Sequence, residues 1–312
     1  MPCMTLLRRA FAIPLLLMVS SGLALAERPA ENQKIALQMY TLRSLNTLDE
    51  QFSMARDAGF KAVELVGTHG ISASEMKGLL GKYQLKAIAA HVQFGELKSN
   101  MAEVVAFNKA IGNSMIIVPW LNVEDRPDSA EGWKRFGLEM NDLGSELNKQ
   151  GMKLAYHNHN FEMKKYRGKT ALEIMMDAAE PENLMLEMDV AWVSRGGQDP
   201  VRLLRQYKGR IYSIHAKDNT SIGIRDDEMN FAPPGEGILA WEEILPAASK
   251  AGAQWFVAEH DLPKDPQAIV SAAYQSLYEK LSKIKISNSY QPAVSGPQVV
   301  RDEKGLVLFY SG

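Results

Sequence analysis

Each of the six histidines in this 312-residue chain lies at, or within a few residues after, the end of a short apolar run. His69 follows residues 62–66, His91 closes 86–90, and His157 and His159 end 153–156. His215 ends 211–214 and His260 follows 255–259. Two carboxylates hold the same kind of place, Asp189 after 184–188 and Glu259 after 254–258. Imidazole binds metals, hydrogen-bonds or carries protons near neutral pH. His157, Asp189, His215 and Glu259, two imidazoles and two carboxylates, therefore form a four-ligand set for one divalent cation with positions left open for substrate. The shared placement predicts one common site, with His69 and His260 its weaker members: His260 points opposite to Glu259 along its strand, where hydrogen bonding or packing suits it better than ligation.

Such a site needs strands that deliver their ends to one rim. The pattern predicts strands at residues 35–40, 62–66, 86–91, 115–119, 153–157, 184–189, 211–215 and 254–259. Helical patterns intervene at 47–58, 73–82, 100–111, 129–149, 171–179, 200–207 and 241–250, and 266–283 closes the series. Glycines 59, 112, 151 and 252 stand where helices should stop. Eight strand–helix pairs are the count of a (β/α)8 TIM barrel, an α/β fold whose sites lie at the C-terminal strand ends. A doubly wound sheet is the alternative, but no G-x-G-x-x-G follows the first strand. Period-2 alternation adds that Ala155 shares the face of His157, Glu187 and Met185 that of Asp189, Ser213 that of His215, and Trp255 and Val257 that of Glu259. The long loop 219–237 is placed to cover the rim.

Residues 1–26 carry the marks of a signal peptide: Arg8-Arg9, an apolar run from Ala10 to Val19, and Ala24-Leu25-Ala26. The run is too short to span a bilayer, so no stable membrane insertion is expected after cleavage. Removing the two arginines leaves 33 basic against 37 acidic residues, a formal charge of −4. Mild acidity gives no support to a nucleic-acid partner. The only cysteine, Cys3, leaves with the signal, so thiol chemistry and disulfides are excluded from a mature, periplasmic or secreted chain. Residues 27–285 suit one barrel domain. Residues 286–312 form a tail, Ser/Pro/Gly-rich and then apolar, open to packing on the barrel or on a second subunit of a homo-oligomer.

Five stretches in order resemble the xylose isomerase-like TIM barrels, a family that includes sugar isomerases and epimerases, inositol-pathway dehydratases and endonuclease-four-type AP endonucleases. They are Ala-Gly-Phe-Lys-Ala-Val-Glu-Leu (58–65), Tyr-His-Asn-His-Asn-Phe-Glu (156–162), Glu-Met-Asp-Val-Ala-Trp (187–192), Ile-His-Ala-Lys-Asp (214–218) and Val-Ala-Glu-His-Asp (257–261). The resemblance covers about residues 35–285. It implies metal ligation by Asp189, His215 and Glu259. It also implies that Glu64 and His91 face substrate. His157 stands where the fifth strand usually ends in a metal-binding Glu, a pattern similar to one sugar isomerase/epimerase-like branch. Trp192 stands where the AP endonucleases have a zinc-binding His, which argues against phosphodiester hydrolysis and offers a wall for a sugar ring.

The function expected is a metal-dependent sugar isomerase or epimerase, abstracting a proton next to a carbonyl through a metal-stabilised enediolate. Mixed nitrogen and oxygen ligation favours Mn²⁺, Zn²⁺, Co²⁺ or Fe²⁺ over Mg²⁺. Glu259, Glu162, His159 and Lys217 are the candidate proton carriers; a lysine beside a dication can have a lowered pKa and serve as an acid, or hold a sugar oxygen. Asp218 and Asp261 are placed to orient ligand histidines. The alternatives are a metal-dependent lyase or hydrolase on (keto)glycosides and a non-catalytic carbohydrate-binding barrel. Export favours an unphosphorylated small carbohydrate.

Overall fold

A parallel strand pair needs a crossover long enough to return the chain to the same edge, and a helix laid over the sheet supplies it. The computed structural model describes residues 30–284, plus the strand pair Val299–Arg301 and Val307–Phe309. The expected signal peptide and most of the expected tail lie outside the described residues. Eight strands, β1 (Ile35–Gln38), β2 (Ala62–Val66), β3 (Lys86–His91), β4 (Met115–Val118), β5 (Lys153–His157), β6 (Met185–Asp189), β7 (Ile211–Ala216) and β8 (Trp255–Ala258), close into one parallel barrel in chain order, β8 against β1. The helices are α1 (Leu48–Ala58), α2 (Ala73–Lys82), α3 (Phe94–Ser99), α4 (Met101–Ala110), α5 (Ala130–Lys149), α6 (Ala171–Asp177), α7 (Val190–Arg195), α8 (Pro200–Gln206), α9 (Trp241–Ala251) and α10 (Pro266–Ser282). The predicted TIM barrel is the observed fold.

Alternation along the strands divides the apolar residues into two cores. Ala36, Ala62, Ile117, Ala155 and Val257 fill the lumen, while Leu37, Leu65, Ile116, Tyr156, Leu186 and Phe256 face out under the helices. Each large apolar side chain so buried contributes roughly 1.5–3 kcal/mol. Two strands break step. Between Val63 and Glu64 the β2–β3 register skips Ile88, and between Leu186 and Glu187 the β6–β7 register skips Tyr212. Ile88 and Ala89 are consequently both in the lumen cluster, and Tyr212 joins them beside the inward Ser213. These are β-bulges, and the Tyr212 hydroxyl donates to the Ile88 carbonyl oxygen, tying one bulge to the other.

Two helices escaped the sequence pattern. α3 precedes the expected helix because Asn100, at φ −130°, breaks what would be one segment into two. α7 starts directly from the last residue of β6, with Asp189 as its cap. β1 ends at Gln38, whose side chain accepts from Tyr40 N–H and draws the chain into a 3₁₀ turn over Met39–Leu42. The long α5 lies close on the α6–β6 connection through Gly144, where a Cβ would come 1.7 Å from the Asn183 carbonyl oxygen.

Candidate active site

One donor atom each from His157, Asp189, His215 and Glu259 lies within 4.8 Å of every other. β5, β6 and β7 supply the first three and the residue after β8 the fourth. Their orientations are set by bonds on the far side of each group. His157 Nδ1 is 3.0 Å from the Pro119 carbonyl oxygen, and its other nitrogen, Nε2, is 3.2 Å from Asp189 Oδ2. Asp189 Oδ1 accepts from Trp192 N–H at 3.1 Å, which caps α7 and leaves Oδ2 for the cluster. His215 Nδ1 is 2.9 Å from Glu259 Oε2. Burial pushes both carboxyl groups up, but Lys217 and the neighbouring imidazoles outweigh it and hold Asp189 and Glu259 well below the usual carboxylate range. Ionised carboxylates with imidazole nitrogens at this spacing fit a divalent cation.

Below this set lies a layer of equally buried groups. Glu64, His91, Glu187 and His215 also bring donors within 4.8 Å of one another. His215 Nε2 is 2.7 Å from Glu64 Oε1 and 2.9 Å from Glu187 Oε1. His91 Nε2 is 2.9 Å from the same two oxygens. Because Gln38 Oε1 accepts from Tyr40 N–H, its Nε2 is the group that donates to Glu64 at 2.8 Å and faces His91 Nδ1 at 3.1 Å. Burial alone would lower the His91 pKa, but Glu64 and Glu187 against Nε2 raise it to about 9, so a proton is held on Nε2 toward the carboxylates. Ser213 Oγ donates to Glu187 Oε2 at 2.6 Å. Glu64 and His91, expected to face substrate, thus join this layer, Glu64 through Oε1 alone with its Oε2 buried and without a partner, and the His91 ring still borders the cavity. With Nε2 held from beneath, His215 has Nδ1 for the upper set.

Above both layers opens a cavity of about 600 Å³, bordered by Tyr40, Trp120, His159, Trp192, Glu259 and Asp261 among others. The His159 ring makes no hydrogen bond, and its Nδ1 is buried without a partner. Burial keeps this imidazole neutral, well below its ordinary pKa. It packs edge-on against Trp120 at 4.6 Å, with Trp192 at 5.4 Å. Trp192 is a cavity wall, as its position suggested.

Four expectations are corrected. Lys217 is fully buried, with Nζ 3.0 Å from Asp189, 2.8 Å from Glu259 and 2.5 Å from Asp261. Burial alone would lower its pKa, but the three carboxylates raise it well above the ordinary lysine value. Its three partners are protein carboxylate oxygens. Glu162 does not ring the site, for it lies on the outer side of β5 with Tyr156. There it accepts from the Tyr156 hydroxyl at 2.8 Å and from His159 N–H at 2.9 Å. Asp218 orients no histidine; it accepts from Gly235, Gly237 and Leu239 N–H and from Trp241 Nε1, pinning the long loop. Asp261 serves Lys217 instead of a histidine. Nor do all six histidines share a site. His69 closes its own turn by accepting from Val66 N–H, and His260 accepts from Leu262 N–H beside Phe231. Sequence reasoning passed over Glu187, Gln38 and Asn158, which accepts from Asp189 N–H at 3.0 Å. Glu187 shares the face of Asp189, so its signal was present and only its rank was missed.

The family model of the xylose isomerase-like TIM barrels matches residues 52–280. A crystal structure of a sugar phosphate isomerase/epimerase from Parabacteroides distasonis superposes with a TM-score of 0.66, at 20% identity over 78% of this chain and 96% of that one. The structure of the IOLI protein with a bound zinc atom gives 0.66 at 17% identity, over 81% of this chain and all of the other. Inosose dehydratase of Bacillus anthracis is 25% identical over 149 residues, 44% of this chain and 49% of its own length. The chain thus spans about half the length of the curated relatives it matches.

Proposed function

The chain belongs to the xylose isomerase-like TIM barrel family, and from that premise we propose that it is a divalent-metal-dependent sugar isomerase or epimerase. One observation carries the reading: four ligand-type groups from four consecutive strand ends meet behind a cavity that also holds an unpartnered imidazole. His157, Asp189, His215 and Glu259 would hold the ion, and the zinc-bound IOLI structure supports a metal in this fold. The donor set favours Mn²⁺, Zn²⁺, Co²⁺ or Fe²⁺ over Mg²⁺. When bound, the ion would polarise a substrate carbonyl and offset the charge developing as the neighbouring carbon loses its proton.

The protein's own groups divide the remaining work. Of the four candidate carriers, only Glu259 and His159 border the cavity, so one of them takes the carbon-bound proton and returns it to the other carbon or face. Lys217 keeps Glu259 and Asp261 in place and ionised partners close. Trp120 and Trp192 give flat apolar walls for a sugar ring and exclude water. The cavity border carries Arg126 and the His91 ring against Glu96, Glu259 and Asp261, with no cluster of cations among the described residues to favour a phosphate, which supports an unphosphorylated sugar. Export to the periplasm or beyond, proposed from residues 1–26, favours the same class.

The inosose dehydratase relatives favour a second reading, in which the same proton abstraction is followed by expulsion of hydroxide from the adjacent carbon, protonated to leave as water while a carbon–carbon double bond forms. Both readings share the first step, so one experiment tests it. Mn²⁺-loaded protein is incubated in D₂O with aldoses, ketoses and keto-glycosides. Deuterium at the carbon next to the carbonyl, abolished by a chelator, is the expected outcome. Product formed with no exchange and no isotope effect at that carbon would refute the reading and leave direct hydrolysis.

A further inference from the structure

A second cavity of about 690 Å³ adjoins the first, and Gln93 and Trp120 border both. Neither cavity's volume is needed twice over by a single sugar ring, since ligand sites of ordinary size run from about 300 to 1,000 Å³. The second is built from parts that a bare barrel lacks. One wall is α3, the short helix inserted after β3, and the other is the β4–α5 loop with the start of α5. Phe94 and Trp120 border it, with the Lys98 ammonium over the Phe94 ring at 4.8 Å and the Arg126 guanidinium over the Trp120 ring at 4.6 Å. Its charges are mixed, Lys98 and Arg135 against Asp125, Asp128 and Glu139, and Lys98 is already paired with Glu139. Aromatic surface with alternating donors and acceptors and no cationic excess suits a neutral, hydroxyl-rich ring. It does not suit a phosphate, which calls for convergent positive charge.

We propose that this groove is a subsite for the second ring of a two-ring substrate, a reducing disaccharide or an aryl glycoside whose sugar ring carries a ketone, with the carbonyl-bearing ring in the first cavity. The inference rests on the sugar reading above and deepens it. Trp120 is the shared wall that both rings would touch, one on each side of the junction. The substrate class is then an unphosphorylated glycoside rather than a free monosaccharide, and the reaction that supplies it must leave the glycosidic bond intact.

Gly95 gives a clean test, because it borders the groove and a Cβ built on it meets nothing within 4 Å. Gly95→Trp therefore fills the groove without displacing the backbone. Gly78→Trp, on α2 and equally free of contacts, is the control for an added surface tryptophan. Binding to the Mn²⁺-loaded full chain is measured by calorimetry with glucose and galactose as one-ring probes. Cellobiose, maltose, lactose and phenyl β-glucoside are the two-ring probes. At least one two-ring probe should bind, and Gly95→Trp should weaken it about tenfold or more, while one-ring binding and the Gly78→Trp control stay unchanged. Absence of two-ring binding at millimolar concentration, or equal effects on both classes, overturns the subsite. Binding of a reducing disaccharide without any deuterium exchange next to its carbonyl leaves the subsite standing and sinks the isomerase reading, so the two failures are distinguishable.

Discussion

Glu162→Gln separates a buried structural carboxyl group from a proton carrier. Burial pushes the Glu162 carboxyl up from 4.5 to about 7, against the hydrogen bonds from His159 N–H and the Tyr156 hydroxyl that favour ionisation. In the unfolded chain it titrates near its ordinary value, so between pH 4.5 and 7 the folded state binds more protons than the unfolded one. Wild-type stability from this group is therefore fully present at low pH and is lost as pH rises through 7. The slope is about 1.4 kcal/mol per pH unit, and 2.5 units make about 3 kcal/mol. Glutamine keeps an acceptor for His159 N–H and faces the Tyr156 hydroxyl with an amide, but it does not titrate. The stability of Glu162→Gln relative to wild type, from urea unfolding at a series of pH values, should rise by about 3 kcal/mol from pH 4.5 to 7 and stay flat above. Mn²⁺ affinity and deuterium exchange should stay close to wild type. A stability difference independent of pH would refute the burial argument. Loss of exchange with metal binding intact would return Glu162 to the role of carrier.

Three shorter expectations follow from the same geometry. Glu64→Gln takes a charge from beneath His215 and loosens its orientation, so Mn²⁺ affinity should fall by about 10–100-fold with the fold retained, measured by calorimetry and circular dichroism; unchanged affinity would mean that the lower layer does not position the ligand. Gly144→Ala must push α5 off the Asn183 carbonyl and should cost about 3 kcal/mol or more, read as a lower urea midpoint; an unaltered midpoint would contradict the packing described. Secretion with cleavage after Ala26 should give a mature N-terminus at Glu27, and an intact Met1 in a cytosolic fraction would sink the export proposal.

The barrel was legible because two periods agree along the chain, apolar runs of strand length and amphipathic stretches between them, with glycines at the joints. The meeting of His157, Asp189, His215 and Glu259 was legible for the same reason, since a residue that closes a parallel strand must stand at the rim. What escaped the pattern was set by contacts distant in sequence. Strand parity already sets His260 apart from Glu259, whereas His69 also follows an apolar run and is kept from the site by its own turn, where its ring accepts from Val66 N–H. Glu162 lies close to the ligand His157 in sequence, yet it pairs with the outward Tyr156. Lys217 takes its three carboxylate neighbours from the end of β6 and from the residues after β8, which nothing in its own stretch announces. α7 hides in sequence because it begins on a residue that is also a ligand.

The doubled inward residues at Ile88 and Tyr212 act as a change of reading frame. Counting inward by twos from Ile88 would turn His91 to the outside, and counting from Tyr212 would do the same to His215. One supernumerary residue in each strand restores the phase just before the histidine that needs it. Deleting a single residue, without touching any ligand, is therefore the smallest edit that would dismantle the centre. The rim chemistry is encoded in the length of two strands as much as in the identity of the residues that close them.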